Sequence, residues 1–143
     1  MNEILERTEF RINGAIPPLE EVAELYLEAG WIKPGDDTGF LHPMLEHSFA
    51  VSAAFLDGKL VGMMRALSDG VSDAYILDLV VRKPYRGNGI ARRVMENLTA
   101  HLQTFGIDWI VCIGAPGTEA FYSRTSAAVM HGFTPMRFGE RSS

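Results

Sequence analysis

The chain has 143 residues, of which 47% are apolar and 22% charged, a balance that fits one compact soluble domain over residues 1–143 and excludes disordered and fibrous classes. No stretch approaches the roughly 18 consecutive apolar residues of a membrane span, and the acidic start lacks a secretory pattern, so a cytoplasmic protein with no membrane partner is expected. A net charge of −5 argues against a general nucleic-acid binder, since phosphate affinity needs a basic surface.

The first patterned run, residues 9–14, reads as a short edge strand ending at Gly14. After Pro17-Pro18, apolar side chains at Leu19, Val22, Leu25, Tyr26 and Ala29 recur at helical spacing, with Gly30 as the stop. Residues 31–47 read as a loop holding at most a short helix around 38–45. Residues 47–56 and 59–67 form two strands joined by Asp57-Gly58, a two-residue hairpin connection. Residues 74–81 carry the strongest strand signal, rich in branched side chains and closed by Lys83-Pro84. In residues 90–105, Ile90, Val94, Leu98 and Leu102 make a helical stripe before Gly106. A buried strand over 107–113, a helix from an N-cap at Thr118 towards Met130, and a last strand over 133–138 complete the expectation. The order predicts an α+β (mixed α/β) fold with a central mixed sheet flanked by helices.

Charge is distributed unevenly. Arg82, Lys83, Arg86, Arg92 and Arg93 lie together with no acidic neighbour, whereas residues 1–46 hold ten acids against three bases. An anion at the first segment and a cation near the second are expected. Gly87 and Gly89 join the strongest strand to the most regular helix, a junction suited to pyrophosphate because backbone approaches closely and free N–H groups point outward. A P-loop would need Gly-Lys-Ser/Thr, and a dinucleotide fingerprint would need glycine or alanine at Arg92; both are discounted.

Arg86-x-x-Gly89-x-Ala91, within the run Asp78-Leu79-Val80-Val81-Arg82-Lys83-Pro84-Tyr85-Arg86-Gly87, resembles the signature of the GCN5-related N-acetyltransferase (GNAT) family. The resemblance extends over residues 19–133 and includes Ala29-Gly30-Trp31, Ser68-Asp69-Gly70 and Phe121-Tyr122. It implies a mostly antiparallel sheet in which two parallel strands splay apart to form an acetyl-CoA cleft. It also implies that Leu79, Val80 and Val81 pair with the pantetheine arm, that an N–H near Val80 or Val81 polarises the thioester carbonyl, and that Arg86, Gly87, Asn88, Gly89, Ile90, Ala91 and Arg92 hold the pyrophosphate. The activity implied is direct transfer of acetyl from the coenzyme to a primary amine, small-molecule or peptide, in a ternary complex. The rival is an inactive acyl-CoA sensor of the same fold, and homodimers are common in the family.

Tyr122 resembles the tyrosine that protonates the departing thiolate. The sequence departs from the pattern just after it, because Gly132-Phe133 follows ten residues on instead of about four. Asp78, Glu46, Asp36, Asp37 and His47 are candidates for the base that frees the amine, and spacing favours none of them. Trp31, Phe40 and Leu41 divide between acceptor wall and core packing. The histidines His42, His47, His101 and His131 show no ligand spacing, and Cys112 reads as core packing, so no metal is expected.

Overall fold

A computed structural model describes residues 2–139. Its contacts divide at Cys112/Ile113 into two units. The first holds helix α1 (Glu3–Arg7), strand β1 (Thr8–Ile12), helices α2 (Leu19–Glu28) and α3 (Leu41–Glu46), strands β2 (Ala50–Leu56), β3 (Lys59–Ser68) and β4 (Asp73–Val81), a 3-10 turn at Lys83–Tyr85, helix α4 (Ile90–Gln103) and strand β5 (Trp109–Val111). The second holds helix α5 (Glu119–Tyr122) and irregular chain.

The five strands form one sheet in sequence order, antiparallel from β1 to β4 and parallel between β4 and β5. The β2–β3 hairpin turns at Asp57 (φ 50°) and Gly58 (φ 80°), the paired left-handed geometry that matches strand twist. Helices cover both faces. On one face Val22, Leu25 and Tyr26 of α2, with Leu41 and Leu45 of α3, pack on Ala53, Phe55, Met63 and Val80. On the other, the α4 stripe Ile90, Val94, Leu98 and Leu102 is fully buried, and Ser52 of β2 donates to the Val94 carbonyl at 2.8 Å. Burying each such side chain stabilises the fold by roughly 1.5–3 kcal/mol. Gly62 is tightly enclosed: a Cβ there would lie 3.1 Å from Val81 Cγ2 and 3.3 Å from Ile90 Cγ2.

Helix α2 ends as its pattern requires, with Gly30 left-handed (φ 78°) and the Trp31 N–H bonded to the Tyr26 carbonyl. The structure departs from expectation at several points. The strand expected as buried over 107–113 is confined to Trp109–Val111, and Trp109 is exposed. Helix α1 has no long apolar pattern and is set by Asn2, whose side chain accepts from the Leu5 N–H. Strand β2 begins only at Ala50, because His47 caps α3. The helix after Thr118 stops at Tyr122: Ser123 and Thr125 donate their hydroxyls to the Ala120 and Tyr122 carbonyls, and the Ala127 N–H turns to Thr125 Oγ1, which competes with helix propagation. Thr118 stands at the N-cap position, but its hydroxyl donates back to Ala115. No strand forms over 133–138, where Pro135 lacks a donor for pairing.

Candidate acetyl-CoA site

The β3–β4 pairing contains a bulge. From Met63↔Val80 to Arg65↔Leu77 the register takes two steps along β3 and three along β4, and Asp78 within that stretch adopts φ 59°. A left-handed residue of this kind kinks a strand, and Asp is among the few non-glycine types that tolerate it. Strand β5 pairs with β4 only over Asp73↔Trp109 to Tyr75↔Val111. Beyond Tyr75, the described pairings of β4 are with β3 alone, so its outer edge opens from Ile76 to Val81. Leu79 is half-buried there, while Val80 and Val81 are buried.

The open edge leads into the glycine turn. Gly87 and Gly89 have φ 81° and 86°, and Gly89 occupies the N-cap of α4 with no side-chain cap. The first N–H groups of a helix have no intrahelical acceptor, so those at Ile90, Ala91 and Arg92 end α4 as donors. An added Cβ at Gly87 would meet nothing within 4 Å, and one at Gly89 only Leu5 Cδ2 at 3.7 Å. The space above both glycines is therefore open down to the backbone, and N–H groups at a helix start are suited to an anion. Asn88 stitches the turn from below, donating to the Tyr85 carbonyl at 2.9 Å, and its own carbonyl accepts from Asn2 Nδ2.

The arginines are divided differently from the sequence expectation. Arg82 is buried; its Nε donates to the Leu60 carbonyl at 2.6 Å and its Nη2 to Glu24 at 3.0 Å, with Glu28 at 3.9 Å. It is a bracket between α2 and the end of β4 and takes no part in an anion site. Arg86 donates from Nε to the Val81 carbonyl at 2.8 Å, Arg92 pairs with Glu96, and Arg93 lies over the Phe10 ring. What this turn offers an anion is therefore mainly backbone N–H groups and the helix dipole.

Asp78 is the best-connected of the candidate bases. Its Oδ2 accepts from Tyr26 Oη at 2.7 Å and from Arg65 Nε at 2.8 Å, and Arg65 Nη1 also reaches Ser48 Oγ at 3.4 Å. Burial first, then the bond to Asp78, pushes the Tyr26 phenol well above its ordinary pKa. Asp36 and Asp37 cap exposed turns through the Lys33 and Gly39 N–H groups. His47 donates from Nδ1 to the Pro43 carbonyl, and Glu46 faces His42 at 3.9 Å. A cavity of about 320 Å³, lined by Asn13, Ile16, Leu45, Glu46, Ser48 and Phe49 among others, lies beside this group.

Trp31 stands edge-on to Tyr26, half exposed; Phe40 is exposed and Leu41 fully buried. Cys112 is half-buried rather than core. Tyr122 ends α5 in the second unit, within which a Cβ on Gly114 would touch its ring at 3.3 Å. Tyr26, Arg65 and Ser48 are the neighbours of this group that pattern reading missed. Arg65 and Asp78, two lone charges in adjacent apolar strands, were the available signal.

An α+β unit with a bulged, half-open parallel strand running into an uncapped glycine-started helix is the architecture that the resemblance of the sequence implies. The family model described as the acetyltransferase (GNAT) family matches residues 16–125, and the chain belongs to that family. It is 38% identical over 86 residues to the chloroplastic serotonin N-acetyltransferase 2 of rice, covering 57% of this chain and 43% of that one. It is 30% identical over 121 residues to the chloroplastic GCN5-related N-acetyltransferase 1 of Arabidopsis thaliana, covering 83% and 58%. The chain thus spans about half the length of these curated relatives. The fold is shared with an aminoglycoside acetyltransferase from an uncultured soil metagenomic sample, solved with sisomicin (TM-score 0.77, 17% identity, 97% and 100% covered). A GNAT protein of Streptococcus pneumoniae shares it too (TM-score 0.75, 22% identity, 94% and 99% covered).

Proposed function

We propose that the chain is an acetyl-CoA-dependent N-acetyltransferase that moves acetyl to the primary amine of a small-molecule or peptide acceptor in a ternary complex. The observation that carries this reading is the continuity of the open β4 edge, from Ile76 to Val81, with the uncapped N-terminus of α4 at Gly89. Acetyl-CoA, when bound, supplies an acetyl group activated as a thioester. The backbone of Leu79, Val80 and Val81 holds the pantetheine arm as an added strand, and the N–H groups from Gly87 to Arg92 hold the diphosphate. An N–H beyond the bulge, near Val80 or Val81, takes up charge on the carbonyl oxygen. The amine nitrogen bonds to the acetyl carbon as the carbon–sulfur bond breaks, and the surplus amine proton leaves to water or a base. Tyr122, assigned by its match to the family pattern, gives its hydroxyl proton to the sulfur and is reprotonated from solvent.

The test has two arms. Acetyl-CoA at about 100 times its dissociation constant should stabilise the protein by roughly 2.7 kcal/mol, with much smaller effects from NAD and ATP. Gly89→Glu, which sets a charged side chain on a left-handed backbone at the diphosphate position, should remain folded and weaken coenzyme affinity by about 100-fold or more. Equal stabilisation by all three nucleotides, or unchanged affinity in the folded variant, overturns the coenzyme reading. An amine panel that includes serotonin and an aminoglycoside, followed through released thiol, then separates a transferase from an inactive sensor.

A further inference from the structure

Asp78 sits at the one place in β4 where the strand changes direction, and side chains from two elements converge on its carboxylate, one of them also reaching a third element. Tyr26 comes from α2, Arg65 from β3, and Ser48, which Arg65 also contacts, from the connection after α3, where its hydroxyl donates to the Met44 carbonyl at 2.8 Å. Both strong contacts land on the same oxygen, Oδ2. The Arg65 and Asp78 side chains are only 12% and 22% exposed, so the pair sits largely out of water. An aspartate recruited to collect protons from an incoming amine would present its oxygens to the acceptor. This one turns an oxygen inward to two donors while its backbone holds φ 59°. A left-handed conformation at a non-glycine residue persists when surrounding contacts over-determine it.

We propose that Asp78 is a positioning residue: clamped by Tyr26 and Arg65, its carboxylate fixes the left-handed turn that opens the outer edge of β4 to the coenzyme. The inference rests on the acetyl-CoA reading for its purpose, though not for its geometry. Asparagine at 78 retains both a side-chain acceptor for Tyr26 and tolerance of the left-handed region, whereas alanine retains neither.

The geometric arm uses the protein without coenzyme and follows hydrogen exchange at the β4 amides up to Arg82, whose N–H bonds to the Val61 carbonyl at 2.8 Å. Asp78→Ala and Tyr26→Phe should each speed exchange there by about tenfold or more, and Asp78→Asn by much less. Unchanged exchange in Tyr26→Phe and in any folded Asp78→Ala sample overturns the clamp, whatever the coenzyme reading. The kinetic arm uses Asp78→Asn, which should lose less than about tenfold in kcat, keep the shape of its pH–rate profile, and restore the acetyl-CoA KM that Asp78→Ala raises. A loss of about 100-fold or more in Asp78→Asn together with a missing limb of the pH profile makes Asp78 the base and overturns the proposal. Failure of the wild-type protein to bind acetyl-CoA removes the coenzyme reading alone, and the exchange measurement still decides the clamp.

Discussion

Residues 73–103 and 113–139 are stretches of comparable length, both well supplied with apolar side chains, and only the first buries them. In the first, Ala74, Ile76, Val80, Ile90, Val94, Leu98 and Leu102 are at most 5% exposed. In the second, Ile113, Val129, Phe133, Met136 and Phe138 are all more than 60% exposed. Apolar residues at a strand or helix period share a face, and a face can be covered; the same residues scattered among Gly114, Pro116, Gly117, Gly132 and Pro135 share none. Hydrophobic content becomes a core only through periodicity.

The sharpest challenge to that contrast is functional. If the second region serves the chemistry through Tyr122, then Tyr122→Phe should lower kcat by about 10²- to 10⁴-fold while changing the acetyl-CoA KM little. A variant retaining more than about half its turnover, with chemistry rate-limiting, would leave the first region to act alone. For stability, Leu98→Ala should cost about 2–5 kcal/mol by denaturant titration, because it empties a site with no exposed surface. Phe138→Ala should stay within about 0.5 kcal/mol, and a larger loss would erase the contrast.

Gly62→Ala probes how tightly the first region is packed. A methyl placed 3.1 Å from Val81 Cγ2 and 3.3 Å from Ile90 Cγ2 requires those side chains to give by a few tenths of an ångström, and in a core this tightly packed it should cost about 1–3 kcal/mol. A neutral result would mean that the sheet–helix spacing can relax. The smallest effect concerns the turn before β4. Asp69 accepts from the Val71 and Ser72 N–H groups and from the Ser72 hydroxyl. Those hydrogen bonds, that from the Ser72 hydroxyl foremost, pull its pKa down to about 2. A carboxylate depressed below its unfolded value contributes stability that is complete above about pH 4 and is lost as pH falls towards 2. Asp69→Asn should flatten the stability profile in that window and lower the plateau above about pH 4, where the carboxylate's contribution is complete.

Much of this architecture was legible in sequence where a period or a turn signal carried it. The α4 stripe, the Asp57-Gly58 hairpin, the Gly30 stop and the glycine turn at 87–89 all appear where their patterns put them. What escaped depends on neighbours distant in sequence. Arg82 reads as part of a basic cluster until Glu24 and Glu28 are seen beside it. Asp78 reads as one candidate base among five until Tyr26 and Arg65 close on it. The C-terminal helix was overextended because Ser123 and Thr125 offer no periodic warning; their effect is local competition for backbone hydrogen bonds.

One contact made in passing has an optical consequence. Trp31, half exposed, meets the Tyr26 ring edge-on at a centroid distance of 4.9 Å, and Tyr26 holds Asp78. Indole emission depends on solvent polarity and on nearby quenchers, so Trp31 is a built-in reporter on the aromatic end of the clamp. Trp109, at the start of β5, is the other tryptophan of the chain, and it pairs with Asp73 at the closed end of the parallel strands. With each indole replaced in turn by phenylalanine, the two ends of β4 acquire separate fluorescence signals without any attached dye.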